Sequence, residues 1–203
     1  MDRKTLSVGI GIFLVIAAAA VITFLFGRND TYRGTSYDEP YPVASDFTLT
    51  RANGETFRLS DQRGKVVLLF FGYTGCPDVC PTTMADVKRT LDYLSPDHLQ
   101  QVQVVFVSVD PKRDTPERVQ EYVDHFNPSF VGLSGSEGEL AKVWADYGIY
   151  RLEVPGVSAS GYSVDHTARL TVIDKNGNMR LSYGFGTPVD DLVHDLQLLL
   201  RKG

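Results

Sequence analysis

Residues 66–81 read VVLLFFGYTGCPDVCP. The first six residues are all apolar, which is typical of a strand buried on both faces of a sheet. Pro81 suits the first position of a helix, where its missing amide hydrogen has no acceptor, and Cys80 then takes the cap position. Apolar residues follow at helical spacing from Met84 onward. The pattern therefore places the two cysteines on a strand-to-helix turn.

The remaining pattern predicts a mixed α/β domain. An Asn53-Gly54 pair between alternating segments predicts a hairpin over residues 46–59. Thr115-Pro116 supplies a capping hydroxyl and a proline that open a helix. Strands are expected at 102–109, 169–173 and 179–183, and further helices at 138–147 and 188–200. This order predicts a thioredoxin-like α/β sandwich with an added N-terminal β-hairpin.

The N-terminus predicts one transmembrane helix. Residues 6–26 carry no charge, and about 20 apolar residues span a bilayer core. Arg3 and Lys4 keep the short N-terminal side cytoplasmic, so the rest of the chain is exported. Too few residues precede the span for an organellar presequence, which favours a bacterial inner membrane with a periplasmic domain. A cleaved signal peptide is the alternative.

These boundaries divide the chain into three parts. Residues 1–27 are the expected membrane anchor. Residues 28–44 are polar, contain two prolines and are expected to form a linker. Residues 45–203 form the predicted globular domain.

The net charge of −5 argues against nucleic acid as a partner. An acidic surface suits cationic metal ions or basic proteins, although many soluble domains carry such a charge for solubility alone. The span contains no Gly-x-x-x-Gly pair, so dimerisation has no specific support and a monomer is expected.

The only two cysteines of the chain, Cys76 and Cys80, form a CxxxC motif. A disulfide that closes so short a loop restrains the unfolded chain little, so chemistry explains the pair better than stability. Four positions apart at a helix start, the sulfurs lie on one side of a turn, where the helix dipole favours thiolates. Thiolates bind Cu(I), zinc or iron–sulfur clusters, and they also attack disulfides.

A metal site would need a third ligand. His98, His125 and His194 occupy surface or helix positions that explain them without a metal. His166 comes just before the strand at 169–173, in a loop that faces the cysteine turn in a thioredoxin-like order. A loop histidine with an ordinary structural role is the alternative.

Three blocks of sequence together resemble the Sco/SenC family. They are FFGYTGCPDVCP at 70–81, SVDPKRDTP at 108–116 and VDHT at 164–167. The resemblance covers roughly residues 45–200. It implies a copper chaperone in which Cys76, Cys80 and His166 bind Cu(I) or Cu(II). The second block is interpreted as structural, without a ligand role.

The resemblance also implies partners and an acceptor. The copper would pass to the binuclear copper site in the copper subunit of cytochrome c oxidase, and other copper chaperones or thioredoxin-like reductants are expected partners. Asp78, inside the motif, would tune the site as an outer carboxylate or remain a solvated helix residue.

Two rival functions follow from the thiols. A thiol-disulfide oxidoreductase could reduce the cysteines of the oxidase copper subunit, and such an enzyme would not need His166. A peroxiredoxin-like peroxidase is disfavoured, because the Pro-x-x-x-Thr pattern expected before its reactive cysteine is missing. Ligand type alone does not separate copper from zinc. A metallochaperone is therefore expected rather than an enzyme.

Overall fold

The computed structural model describes residues 12, 13, 15–18, 31–156 and 161–202. The chain divides into two compact units, Met1–Thr31 and Tyr32–Gly203. In the first unit, residues 12, 13 and 15–18 are helical. Among the described residues, no helix combines the length and apolar character needed to cross a bilayer. Most of the span predicted at residues 6–26 lies outside the described residues, so the span stays a prediction.

The second unit is built around one six-stranded sheet with the order β1-β10-β9-β4-β5-β6. Strands β4, β5 and β6 are parallel, while β9 pairs antiparallel with β4 and β10 antiparallel with β9. Two separate hairpins, β2-β3 and β7-β8, complete the strands. The bounds are β1 Thr35–Ser36, β2 Thr48–Thr50, β3 Thr56–Arg58, β4 Val66–Gly72, β5 Val102–Ser108, β6 Val131–Leu133, β7 Arg151–Pro155, β8 Tyr162–His166, β9 Arg169–Ile173 and β10 Met179–Gly184.

Helices cover this sheet. The bounds are α1 Val79–Asp92, α2 Pro96–Leu99, α3 Pro116–Asp124, α4 Glu137–Asp146 and α5 Val189–Lys202, with a 3-10 helix at Leu59–Gln62. Helix α1 contacts α5, and α3 contacts β5 and β6. This mixed α/β arrangement confirms the predicted thioredoxin-like fold.

The apolar run after Lys65 forms the centre of the sheet. All seven residues of β4 are buried, and the last five of β5 are buried as well. A strand flanked by neighbours and covered on both faces has no solvent side, so it needs no polar alternation. The prediction of a central buried strand is confirmed, and β4 points directly at the cysteine turn.

The N-terminal hairpin is also confirmed. Strands β2 and β3 pair with Leu49 opposite Phe57, and both of these side chains are buried. Gly54 in the connecting turn has a φ of 81°, a conformation that glycine adopts without steric cost.

The predicted linker at residues 28–44 differs from the structure from Tyr32 onward. Strand β1 pairs with β10, with Thr35 opposite Ser182. The amides of Arg33 and Gly34 donate to the buried carboxylate of Asp195 at 2.8–2.9 Å. Because backbone pairing and a buried acceptor satisfy this polar segment, it forms an edge of the domain without an apolar pattern of its own.

Candidate metal centre

The cysteine turn connects β4 to α1. The amide of Cys76 donates to the carbonyl of Tyr73 at 3.2 Å, which closes the turn. Helix α1 begins at Val79 with Asp78 at the cap position, so the prediction of Cys80 at the cap and Pro81 at the first position is wrong by two residues. Pro81 is still tolerated, because amides of the first helical turn have no acceptor within the helix.

The Cys80 sulfur is fully buried at the start of α1, whereas Cys76 is partly exposed. A methyl group on Gly72 would lie 2.9 Å from the Cys80 sulfur and 2.8 Å from the ring of Phe106. Glycine at the end of β4 therefore leaves the space that Cys80 Sγ occupies.

The two thiols are free, and they differ in acidity. The pKa of Cys76 is lowered to about 5, mainly because the Cys80 thiol donates a hydrogen bond to the Cys76 sulfur. Burial opposes this shift. The amides of Cys80 and Asp78 and the nearby His166 add to it. The amide of Cys80 lies 3.3 Å from Cys76 Sγ. The same hydrogen bond, together with burial and the negative Cys76, raises the pKa of Cys80 well above its ordinary value. Cys76 is therefore the thiolate of the pair.

His166 ends β8 and faces Cys80. Its Nε2 lies 3.9 Å from Cys80 Sγ, although 86 residues separate the two in sequence. Nδ1 lies 3.1 Å from the carbonyl oxygen of Val164. Since a carbonyl only accepts, Nδ1 carries a hydrogen in that contact, and Nε2 is the ring nitrogen that faces the sulfur. The ring of Tyr73 packs edge-on against the imidazole with centroids 5.7 Å apart.

An open cleft with an empty volume of about 760 Å³ lies at Cys76 and His166, and the buried Cys80 is not part of its lining. Its lining includes Cys76, His166, Tyr73 and two exposed carboxylates, Asp78 and Asp165. The acidic rim favours approach by cations over anions.

The donor set fits a soft metal ion. Bonds of about 2.3 Å to sulfur and about 2.0 Å to nitrogen, as in zinc sites, leave the two ligand atoms roughly 3.5–3.9 Å apart. The Cys80–His166 separation of 3.9 Å has this size. Within the described ranges, no three His, Cys, Asp or Glu side chains are already gathered closely enough to hold an ion. A three-ligand site therefore needs movement of at least one side chain.

The other histidines have different partners. His125 Nδ1 contacts the carbonyl of Glu121 on its own helix, and His194 Nδ1 contacts Asp195. His98 lies on the short helix α2. None of the three lines the cleft.

Sequence reasoning did not identify Tyr73, Asp110, Arg113 and Asp114 as parts of the site. Tyr73 contacts His166, and the other three lie in the loop after β5, from which they contact Tyr73, Thr74 and Tyr162. The burial of Asp110 and Asp114 in one short loop is what marks this loop. A single sequence does not show burial, so these residues were not predicted.

Comparison with known proteins gives a consistent result. The family model described as SCO1/SenC matches residues 35–201. A "SCO2-like protein" of Rickettsia felis is 32% identical over 182 residues, which covers 87% of this chain and 88% of that protein.

Two solved structures are similar over most of the chain. Apo Sco1 from Thermus thermophilus is 43% identical with a TM-score of 0.75, and the match covers 85% of this chain and 99% of that one. Arabidopsis thaliana ScoI, solved with copper bound, is 32% identical with a TM-score of 0.73, covering 79% and 99% of the two chains.

Proposed function

The chain belongs to the SCO1/SenC family, and from this premise we propose that it carries copper on Cys76, Cys80 and His166 and delivers it to the binuclear copper site of cytochrome c oxidase. The observation that carries the proposal is the approach of His166 Nε2 to within 3.9 Å of the buried Cys80 Sγ, beside an open cleft that Cys76 and His166 line. A related protein has been solved with copper bound.

The chemistry of the donors supports copper as the cargo. Two thiolates and an imidazole are soft or intermediate ligands that suit copper. Three protein ligands in a cleft leave one side of the ion accessible, so ligands of an acceptor protein can replace them one at a time. A closed site with four protein ligands would hold the ion too long for a carrier.

Loading has a defined proton balance. Cys76 is a thiolate near neutral pH, whereas Cys80 keeps its proton because its pKa is raised by the hydrogen bond to Cys76 and by burial. Copper that binds both sulfurs therefore displaces one proton from Cys80, since metal ligands must be deprotonated.

The test uses the full chain in detergent, with the cysteines reduced under anaerobic conditions. Bound copper and the Cu(II)–thiolate charge-transfer absorption are measured for wild type, His166→Ala and the control His125→Ala. One copper per chain, with a band changed or lost only in His166→Ala, supports the proposal. Equal binding by wild type and His166→Ala removes His166 from the site.

A second candidate, thiol-disulfide reduction, is favoured by the pKa difference between the cysteines. The Cys76 thiolate would attack a disulfide of the copper subunit, and one sulfur of that disulfide would leave as a thiolate. Cys80, after losing its proton, would then attack Cys76 in the mixed disulfide and release the reduced subunit. The chain ends as a Cys76–Cys80 disulfide, which an external dithiol must reduce. This activity would survive His166→Ala, whereas copper delivery would not.

We further propose that residues 6–26 anchor the chain in a bacterial inner membrane, with the N-terminus cytoplasmic and the domain periplasmic. The uncharged run and the position of Arg3 and Lys4 support this orientation. Protease added to spheroplasts should digest the domain, and alkaline carbonate should leave the chain in the membrane pellet. A shortened chain in the soluble periplasmic fraction would instead indicate a cleaved signal.

A further inference from the structure

One loop contacts both halves of the candidate metal centre. It follows β5 and contains Asp110, Arg113 and Asp114, and the two carboxylates are 0% and 1% exposed. We propose that Asp110, Arg113 and Asp114, within residues 110–114 named here the bridging loop, set the separation between the thiol pair and the His166 imidazole. The inference rests on the proposed function, because it concerns how that site is positioned.

The first contact of the bridging loop is with the β7-β8 hairpin, which carries His166 at its end. The guanidinium of Arg113 lies 3.7 Å from the ring centroid of Tyr162, and its Nη1 donates to the Tyr162 carbonyl at 2.9 Å. The Tyr162 hydroxyl donates to Asp110 Oδ1 at 2.8 Å. Arg113 Nε also pairs with the other oxygen of Asp110. Asp110 and Arg113 thus hold Tyr162 from two sides.

The second contact is with the cysteine turn. Asp114 accepts from the amide of Thr74 at 3.1 Å and from its hydroxyl at 2.6 Å. The hydroxyl of Ser108 donates to the same carboxylate at 2.7 Å. Thr74 stands two residues before Cys76, so Asp114 fixes the backbone from which the first thiol projects.

Tyr73 joins the two contacts. Its ring lies 5.6 Å from the Arg113 guanidinium on one side and packs edge-on against the His166 imidazole on the other. The bridging loop therefore contacts the turn, the hairpin and the aromatic side chain between them.

Position matters here because the ligands come from distant parts of the chain. Hairpin β7-β8 is a two-stranded sheet separate from the six-stranded one, so strand pairing with the main sheet does not fix its orientation. Metal ligands must be held within about 0.5 Å of their working geometry, and contacts around the ligands supply that precision. The buried hydrogen bonds of Asp110 and Asp114 fit this role.

The test removes one hydroxyl that bonds to each of the two carboxylates of the bridging loop. Tyr162→Phe deletes the bond to Asp110 but keeps the ring under Arg113. Thr74→Val deletes the hydroxyl bonds to Asp114 and from Arg118 Nε but keeps the amide bond to Asp114. Thr74→Ser restores the hydroxyl. Lys112→Ala is the control, because it removes an exposed ion pair with Glu153 on the same hairpin. All variants are made in the full chain, and Trp144 fluorescence verifies that each one folds.

Two measurements are made on each variant. Amide exchange of residues 162–167 in the metal-free protein reports on the hairpin, and competition titration with the charge-transfer band reports on copper. We expect exchange about tenfold faster in Tyr162→Phe. Copper affinity should fall about tenfold, with a shifted band, in Tyr162→Phe and in Thr74→Val. Thr74→Ser and Lys112→Ala should stay within about twofold of wild type.

The bridging role is overturned if Tyr162→Phe and Thr74→Val both match wild type in copper affinity, charge-transfer band and hairpin exchange. The proposed function still holds in that case if His166→Ala changes the copper spectrum. If His166→Ala itself leaves the copper spectrum unchanged, the proposed function fails. Exchange in the metal-free protein then decides the bridging role alone: faster exchange in Tyr162→Phe supports it, and unchanged exchange refutes it.

Discussion

Cys76 and Cys80 have the same chemical group and different environments. Cys76 is partly exposed and accepts hydrogen bonds from the thiol and amide of Cys80. Cys80 is buried against Gly72, keeps its proton and donates a hydrogen bond to Cys76. Cys76 is thus the accessible thiolate that an ion or a partner protein reaches first. Cys80 is the buried thiol beside it.

The acidity of Cys76 gives a pH prediction. Because its pKa is lowered to about 5, Cys76 is a thiolate above that pH and becomes a thiol as the pH falls through it. The rate at which iodoacetamide alkylates Cys76 should therefore rise with pH, with a midpoint near pH 5. Mass spectrometry of the modified peptide measures that rate. Cys80→Ala removes the hydrogen-bond donor, so its midpoint should rise toward the ordinary value of about 8.5. A wild-type midpoint already near 8.5 would contradict the assignment of Cys76 as the thiolate.

Gly72 gives a packing prediction at the same scale. Gly72→Ala would place a methyl group 2.9 Å from Cys80 Sγ and 2.8 Å from the Phe106 ring. Overpacking of this kind should lower the free energy of unfolding by about 1–3 kcal/mol, measured by urea unfolding with Trp144 fluorescence. Gly75→Ala is the matched control in the same turn, because its nearest neighbours are 3.7 Å away. Equal unfolding midpoints for the two variants would show that the space beside Cys80 is not restrictive.

Residue-scale prediction from sequence succeeded where topology decides and failed where burial decides. The position of His166 before β9 was enough to expect it opposite the cysteines, and the two are close. The block at residues 108–116 was interpreted as structural, without a ligand role, and the burial of Asp110 and Asp114 was not predicted. Their fully buried state depends on partners such as Thr74 and Tyr162, which come from other parts of the chain.

At the element scale, the β7-β8 hairpin was not predicted, although its sequence carries His166. Among the described strands, β7 and β8 pair with each other and with no third strand, and Leu152 on β7 is 51% exposed. A hairpin outside the main sheet buries no regular face, so it has no strong alternating pattern to detect. The central strands, which are buried by the rest of the fold, were predicted almost to the residue.

Helix α5 and strand β1 depend on one buried carboxylate. Asp195 is 0% exposed and accepts from the Tyr183 hydroxyl at 2.9 Å, and it also holds the Arg33 and Gly34 amides. Asp195→Ala leaves these donors without their acceptor. We expect the free energy of unfolding to fall by about 3 kcal/mol, with faster amide exchange at residues 33–36.

A neighbouring acidic residue on α5 serves as the control for Asp195. Asp191 pairs with Arg33 at 3.0 Å, but both side chains are partly exposed. Asp191→Ala should therefore cost less than about 1 kcal/mol and leave the exchange of β1 unchanged. Similar losses in the two variants would mean that helix α5, and not the buried carboxylate, determines the effect.

At the scale of the whole molecule, the proposed function makes copper loading and thiol oxidation compete for the same two sulfurs. A disulfide between Cys76 and Cys80 has no thiolate to offer a metal, so only the reduced chain can carry copper on this pair. Linkage makes the effect reciprocal. The factor by which oxidation lowers copper affinity equals the factor by which bound copper disfavours oxidation. The redox state of the compartment would then decide how much of the protein is loaded.

This competition can be measured with glutathione disulfide as the oxidant, which gains two electrons and becomes two glutathione thiols as the protein disulfide forms. Free copper held 100-fold above the dissociation constant should favour the reduced form by about 2.7 kcal/mol, or roughly 100-fold in the oxidation equilibrium. Mass spectrometry after acid quenching and alkylation counts the thiols. The His166→Ala variant should bind copper more weakly and so gain less protection at the same copper concentration. Equal protection in wild type and His166→Ala would mean that the thiol pair binds copper without the histidine. Copper binding by the oxidised chain would mean that the copper site does not include these thiols.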